Sequence, residues 1–230
     1  IQFESQMADI RKVVDFPTPQ AFQAMEKDIL ALSAELPVTV GGLQSIVEAA
    51  GQSGIARDQL LGFAEDASVM STAFDVSAQM AGQSMAAWRA GMGLTQDQVV
   101  DLANTANALS NQMNASAADI SNVMTRQGAV AQTAGLAYRE SVALSAALLS
   151  PGTSPEIAST ALKNLTGSLT AGEAATGRQK EAFQALGLNA QQMAAAMQED
   201  AQGAITRVFQ ALAQQPAEKR GSLVSLLFGE

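Results

Sequence analysis

Cysteine and histidine are both absent from the 230 residues. Without cysteine there is no disulfide and no thiol redox chemistry. Without histidine the chain lacks the commonest metal ligand and the usual general base near neutral pH. Aromatic residues make up 4% of the chain, with one Trp and one Tyr, so the side chains that favour strands or stack on nucleobases are scarce. Bases are also few: 13 Lys and Arg against 22 Asp and Glu leave a net charge of −9, which argues against a basic nucleic-acid-binding face. The imbalance is concentrated early, with 11 acids and 4 bases in residues 1–75 but 11 and 9 in residues 76–230. Long apolar runs are missing as well. The charge-free stretch at Ser141–Ser150 falls well short of the roughly 20 residues that span a bilayer. Residues 1–16 lack the basic start, apolar middle and cleavage site of a secretory signal. A start at Ile1 and a stop directly after Leu226-Leu227-Phe228-Gly229-Glu230 read as the ends of a fragment.

What is present is helix-forming. Hydrophobic residues are 47% of the chain, mostly Ala, Leu, Val and Met, and Ala and Leu have the strongest intrinsic helix propensity. The length suits one large helical domain or two small ones. Phe3, Met7, Ile10 and Val14 follow the spacing of one helical face. Phe16-Pro17-Thr18-Pro19 breaks the chain, and Thr18 is placed to cap a helix with Pro19 in its first turn. That helix runs through Phe22, Met25, Ile29 and Leu32 and ends before Pro37. Val38–Gly42 reads as a short connector to Leu43–Ala50, which Gly51-Gln52-Ser53-Gly54 closes. Arg57–Ala73 reads as a helix with Leu60, Leu61, Ala64 and Ala67 inward, followed by Ser77–Ala90 with Met80, Met85 and Trp88. Thr95 with Gln98, and Asn189 with Gln192, have capping-box spacing. Ser116 caps Ala117–Ala131, Gly135-Leu136 is a break, and Ser154-Pro155 opens a helix ending at Leu165 or Leu169. Thr170–Gly177 reads as a polar loop, and Pro216 separates the last two helices.

The expectation is an all-α chain: about a dozen short to medium helices of about 10–18 residues, joined by Gly, Pro and Asn breaks. No heptad is sustained and no fixed repeat appears, so the reading is a compact helical array, not one continuous coiled coil or a solenoid. Three pieces suggest themselves: an N-terminal arm or hairpin at 1–36, a central core at 37–177, and a C-terminal segment at 178–230 that is separate or continuous with the core.

Reactive constellations do not emerge. A Ser-His-Asp triad is impossible, and no Gly-x-Ser-x-Gly elbow occurs. Gly41-Gly42 and Gly91-Met92-Gly93 lack the Gly-Lys-Ser/Thr of a phosphate loop and read as helix punctuation. No Asp-x-Asp-x-Asp-Gly calcium loop is present. Glu65-Asp66 and Glu199-Asp200 are helix neighbours that point in different directions, hence solvated surface. Lys12, Lys27, Lys163, Lys180 and Lys219 show no paired Ser-Lys motif. Trp88-Arg89 reads as a core anchor beside a surface base, and the ten Met residues as core filler in preference to an adaptable partner surface. The expectation is therefore no catalytic, cofactor-binding or metal residue, and no enzyme. An Ala-rich surface with apolar faces to cover suits a homo-oligomer.

Phe3-x3-Met7-x2-Ile10-Arg11-Lys12-Val13 resembles the opening of the core region of phage tail tape measure proteins. Gly51–Arg57 (GQSGIAR), Phe63–Ala67 (FAEDA) and Phe74–Ala78 (FDVSA) are similar to later stretches of that family, as are Thr170–Thr176 (TAGEAAT), Ala185–Leu188 (ALGL) and Leu227–Gly229 (LFG). They occur in the family's order along nearly the whole chain. The resemblance implies a structural virion protein of a phage, prophage or phage-tail-like particle, acting in tail length determination and tail assembly inside the tail tube. It implies residence in the tail tube lumen, with host cytoplasm as the place of assembly. The implied partners are the tail tube protein, tail-tip or baseplate proteins and tail assembly chaperones. No specific nucleic-acid binding is expected, and membrane contact only during genome ejection. The alternative reading is a membrane-interacting module used at that step.

Overall fold

The computed structural model describes residues 2–229. Thirteen α-helices, two 3-10 turns and no strand occur among them. In chain order the helices are α1 (Gln2–Val13), α2 (Pro19–Ser33), α3 (Val40–Gln52), α4 (Leu60–Phe74), α5 (Ala78–Met92), α6 (Gln96–Ser110) and α7 (Ala117–Thr133). They continue with α8 (Tyr138–Leu149), α9 (Pro155–Thr170), α10 (Gly177–Ala185), α11 (Ala190–Glu199), α12 (Ala201–Ala213) and α13 (Ala217–Phe228). The all-α class, with many short helices in place of one continuous coiled coil, is what the sequence implies.

The helix starts follow from local chemistry. The Thr18 hydroxyl accepts the Ala21 N–H at 3.1 Å, with Pro19 opening α2. Thr95 and Gln98 form a reciprocal box: Thr95 N–H donates to Gln98 Oε1 at 2.9 Å, and Gln98 N–H to Thr95 Oγ1 at 3.3 Å. Ser116, Ser154 and Asn189 also cap the helices assigned to them. Each satisfies an N–H that the first helical turn leaves without a partner.

Three expectations need correction. Val38–Gly42 is not a connector: α3 begins at Val40, because the Thr39 hydroxyl takes the Gly42 N–H at 3.0 Å and both glycines fall in the first turn. Met80 is not core filler; it is 54% exposed, while Met85 and Trp88 are buried. Thr170–Gly177 is more ordered than a loop. It holds the end of α9, a 3-10 turn at Gly172–Ala174, and a second reciprocal box in which Thr176 and Gln179 start α10.

Two compact units emerge: Ile1–Ala108 with Ser116–Ser121, and Leu109–Ala115 with Asn122–Glu230. In the first unit α3 is central, packed on α1, α2, α4 and α5. Close approach there depends on small residues. A Cβ on Gly82 of α5 would lie 3.1 Å from Ile46 Cα of α3, and one on Gly42 would lie 3.0 Å from Ala78 Cβ. In the second unit α9 packs on α8, α11 and α13, and α10 packs on α13.

Eight of the ten Met residues are buried, as is Trp88, so Met and Ala supply much of the core. Several buried hydroxyls are accommodated inside the helices themselves. Ser68 donates to Ala64 O at 2.6 Å, Ser145 to Ser141 O at 2.7 Å and Thr166 to Leu162 O at 2.9 Å. Bonding back to the preceding turn lets a polar side chain be buried at little cost.

Candidate functional site

Among the described residues, no three or more acidic side chains gather in a way that could hold a metal ion. Glu65-Asp66 and Glu199-Asp200 lie at the surface. Asp66 accepts Gln96 Nε2 at 2.7 Å, and Gln96 in turn accepts from Arg89 at 3.1 Å. That chain ties α4, α5 and α6 together. Trp88, which is 1% exposed, is a core residue and not an open stacking platform.

The feature with most functional character is an apolar groove in the second unit, about 500 Å³ in volume, between α8, α9, α12 and α13. Leu148, Leu165, Phe209, Val224 and Phe228 form its walls, with Ile157 and Ala161 of α9 along one side. Ile157 is 62% exposed, Phe209 46% and Val224 42%. Large apolar side chains exposed together, in contrast to singly, mark a surface meant to be covered.

Periodicity explains why α9 contributes as it does. Ala158, Leu162, Leu165, Ser168 and Leu169 are buried on one face. Glu156, Ile157, Thr160 and Lys163 are exposed on the other, with Ala161 and Asn164 half-buried between the two. Glu156 pairs with Arg126 of α7 at 3.0 Å. Its carboxyl is held below the usual carboxylate range by its own backbone N–H, then by the Ser154 hydroxyl and by Arg126.

Beside the groove, a polar lock ties α9, α10 and α13 together. Ser168 of α9 donates to Leu227 O of α13 at 2.6 Å. Gln179 Nε2 of α10 reaches Ser168 Oγ at 3.0 Å and Leu227 O at 3.2 Å. The last carbonyls of a helix have no partner within it, and here two side chains from neighbouring helices supply one. Sequence reasoning missed both the groove and this lock. The available signals are an apolar Ile157 on the outward face of α9 and the Thr176/Gln179 spacing, which matches that of Thr95/Gln98 and Asn189/Gln192.

The groove and lock lie within a region of established similarity. The profile of the phage-related minor tail protein family matches residues 26–229. A probable tape measure protein of Halomonas phage phiHAP-1 (isolate -/Gulf of Mexico/-/2001) is 37% identical over 241 aligned residues, covering all of this chain and 28% of that protein. The chain thus spans just over a quarter of that relative's length. No solved structure matches.

Proposed function

The chain belongs to the phage-related minor tail protein family, and from that premise we propose that it acts in tail length determination and tail assembly inside the tail tube, as a helical scaffold that works through contact surfaces. The observation that carries this reading is the 37% identity, along the entire chain, to a probable tape measure protein. Its partners on this reading are the tail tube protein, tail-tip or baseplate proteins and tail assembly chaperones. Its place is the tube lumen of the virion, after assembly in the host cytoplasm.

The geometry narrows the role. Drawn as one helix at 1.5 Å per residue, the 230 residues would extend about 345 Å. The longest helix among the described residues, α7, has 17 residues, or about 25 Å. A chain folded into short helices makes a poor linear gauge. We therefore assign it to a helical domain beside the ruler, mediating assembly or packing. The division proposed for it is an N-terminal arm or hairpin at 1–36, a central core at 37–177 and a C-terminal segment at 178–230, separate from the core or continuous with it. No described helix is long and apolar enough to cross a membrane, and no feature of the groove favours a membrane module over a scaffold.

In-frame deletion of the segment from its parent gene tests the assignment, with tails measured by electron microscopy. Absent or disordered tails are expected. Tails that remain regular and shorten in proportion to the deleted length would show that the segment is itself the ruler.

A further inference from the structure

The outward stripe of α9 is self-complementary in charge. Glu156 stands at one end and Lys163 two turns later, both exposed, about 10 Å apart along the axis. Ile157, Thr160 and Ala161 lie between them. Rotating such a stripe by 180° about its midpoint exchanges its ends, so each acid meets a base. We propose that the chain pairs with a second copy of itself through this stripe, the two α9 helices antiparallel about a two-fold axis close to Thr160.

Charge favours a second copy over other occupants. The first unit carries 14 Asp and Glu against 5 Lys and Arg and so holds the whole −9, whereas the second carries 8 of each. Two copies of the first unit repel, and two copies of the second do not. A strongly acidic or strongly basic partner finds no net complement on this neutral unit, while a copy of the same stripe finds a matched one. Thr160 and Ala161 are short enough for two helix axes to approach closely. Ile157, 62% exposed, then covers the apolar wall of Phe209, Val224 and Phe228 in the other copy, and the symmetry repeats the contact. Glu156 holds Arg126 at 3.0 Å and takes its own N–H and the Ser154 hydroxyl, and a carboxylate's several acceptor positions still allow the Lys163 ammonium of the second copy to join them.

The pairing does not rest on the tail role: a chain with no part in tails could still pair, and a tail scaffold could be a monomer. Sedimentation velocity of the 230-residue chain, from low micromolar to near-millimolar concentration, decides it. A reversible dimer is expected. Ile157→Asp should weaken it about a hundred-fold, counting both copies of the contact. Glu156→Lys or Lys163→Glu alone should weaken it about ten-fold by placing like charges opposite each other, and the double exchange should restore it to within about two-fold. Circular dichroism confirms that each variant is folded. A wild-type monomer at the highest concentration overturns the proposal. So does an assembly larger than a dimer, a dimer indifferent to Ile157→Asp, or a double exchange that fails to restore what each single exchange lost.

Discussion

Gly135 connects α7 to α8 with φ of 103°, and a Cβ at this position would run into the carbonyl of Met197 at the end of α11. Two costs add there: backbone strain for an L side chain, and a collision with main chain that cannot rotate away. Gly93 also has a positive φ, 63°, but a Cβ there would meet nothing within 4 Å. Gly135→Ala should therefore destabilise the second unit by about 3 kcal/mol, while Gly93→Ala should cost about 1 kcal/mol. Urea midpoints of the two variants check this, and equal losses would mean that α11 yields at no cost. The sequence marks both residues alike, as glycines after a helix, because what distinguishes them is a carbonyl 62 positions away in the chain. Met80 is a different kind of miss. Five residues separate it from Met85, which turns it about 140° around the helix, so the two never shared a face and the spacing already showed it.

Helix starts were legible because a cap is local: a Thr, Ser or Asn side chain meets an N–H two or three residues away. The start of α3 was not, since Gly41-Gly42 has poor helix propensity and is held helical by the Thr39 cap and by α5 lying against Gly42. The groove was illegible for a related reason. Its walls come from four helices spread over residues 138–228, and only their meeting makes Ile157 significant. The spacings at Thr95, Thr176 and Asn189 show where sequence stops being informative: the first two close as reciprocal boxes, whereas Asn189 caps the N–H groups of Gln191 and Gln192 with no return bond from the Gln192 side chain among the described residues. All three have a Gln at the third position, yet among the described residues only Gln179 also reaches across to two other helices. Gln179→Ala removes the acceptor for Thr176 N–H at 2.9 Å together with the bonds to Ser168 and Leu227. It should cost about 2 kcal/mol, one part from the cap and one from the buried bonds. Gln192 is exposed, and its side chain makes no such bonds among the described residues, so Gln192→Ala should stay within about 0.5 kcal/mol. Thermal unfolding of the two variants separates them, and similar shifts would remove the lock from the account of the second unit.

At the scale of the molecule, the charge partition has a consequence that neither unit shows alone. The −9 read from the sequence belongs entirely to the first unit, where 14 acids face 5 bases, while the second balances 8 against 8. Self-repulsion in a compact acidic unit works against its folding, and salt weakens it once the Debye length falls from about 30 Å at 0.01 M to about 3 Å at 1 M. The second unit's charges are balanced, and its Arg126–Glu156 pair is roughly half-exposed on both sides, so screening gains and loses little there. Raising sodium chloride should therefore slow amide exchange in α1–α5 and leave α8–α13 nearly unchanged. Hydrogen exchange read by mass spectrometry, peptide by peptide, measures both units in one sample. Equal stabilisation of the two would point to a general salt effect on apolar burial and would dissolve the distinction between an acidic unit that keeps copies apart and a neutral one that lets them meet.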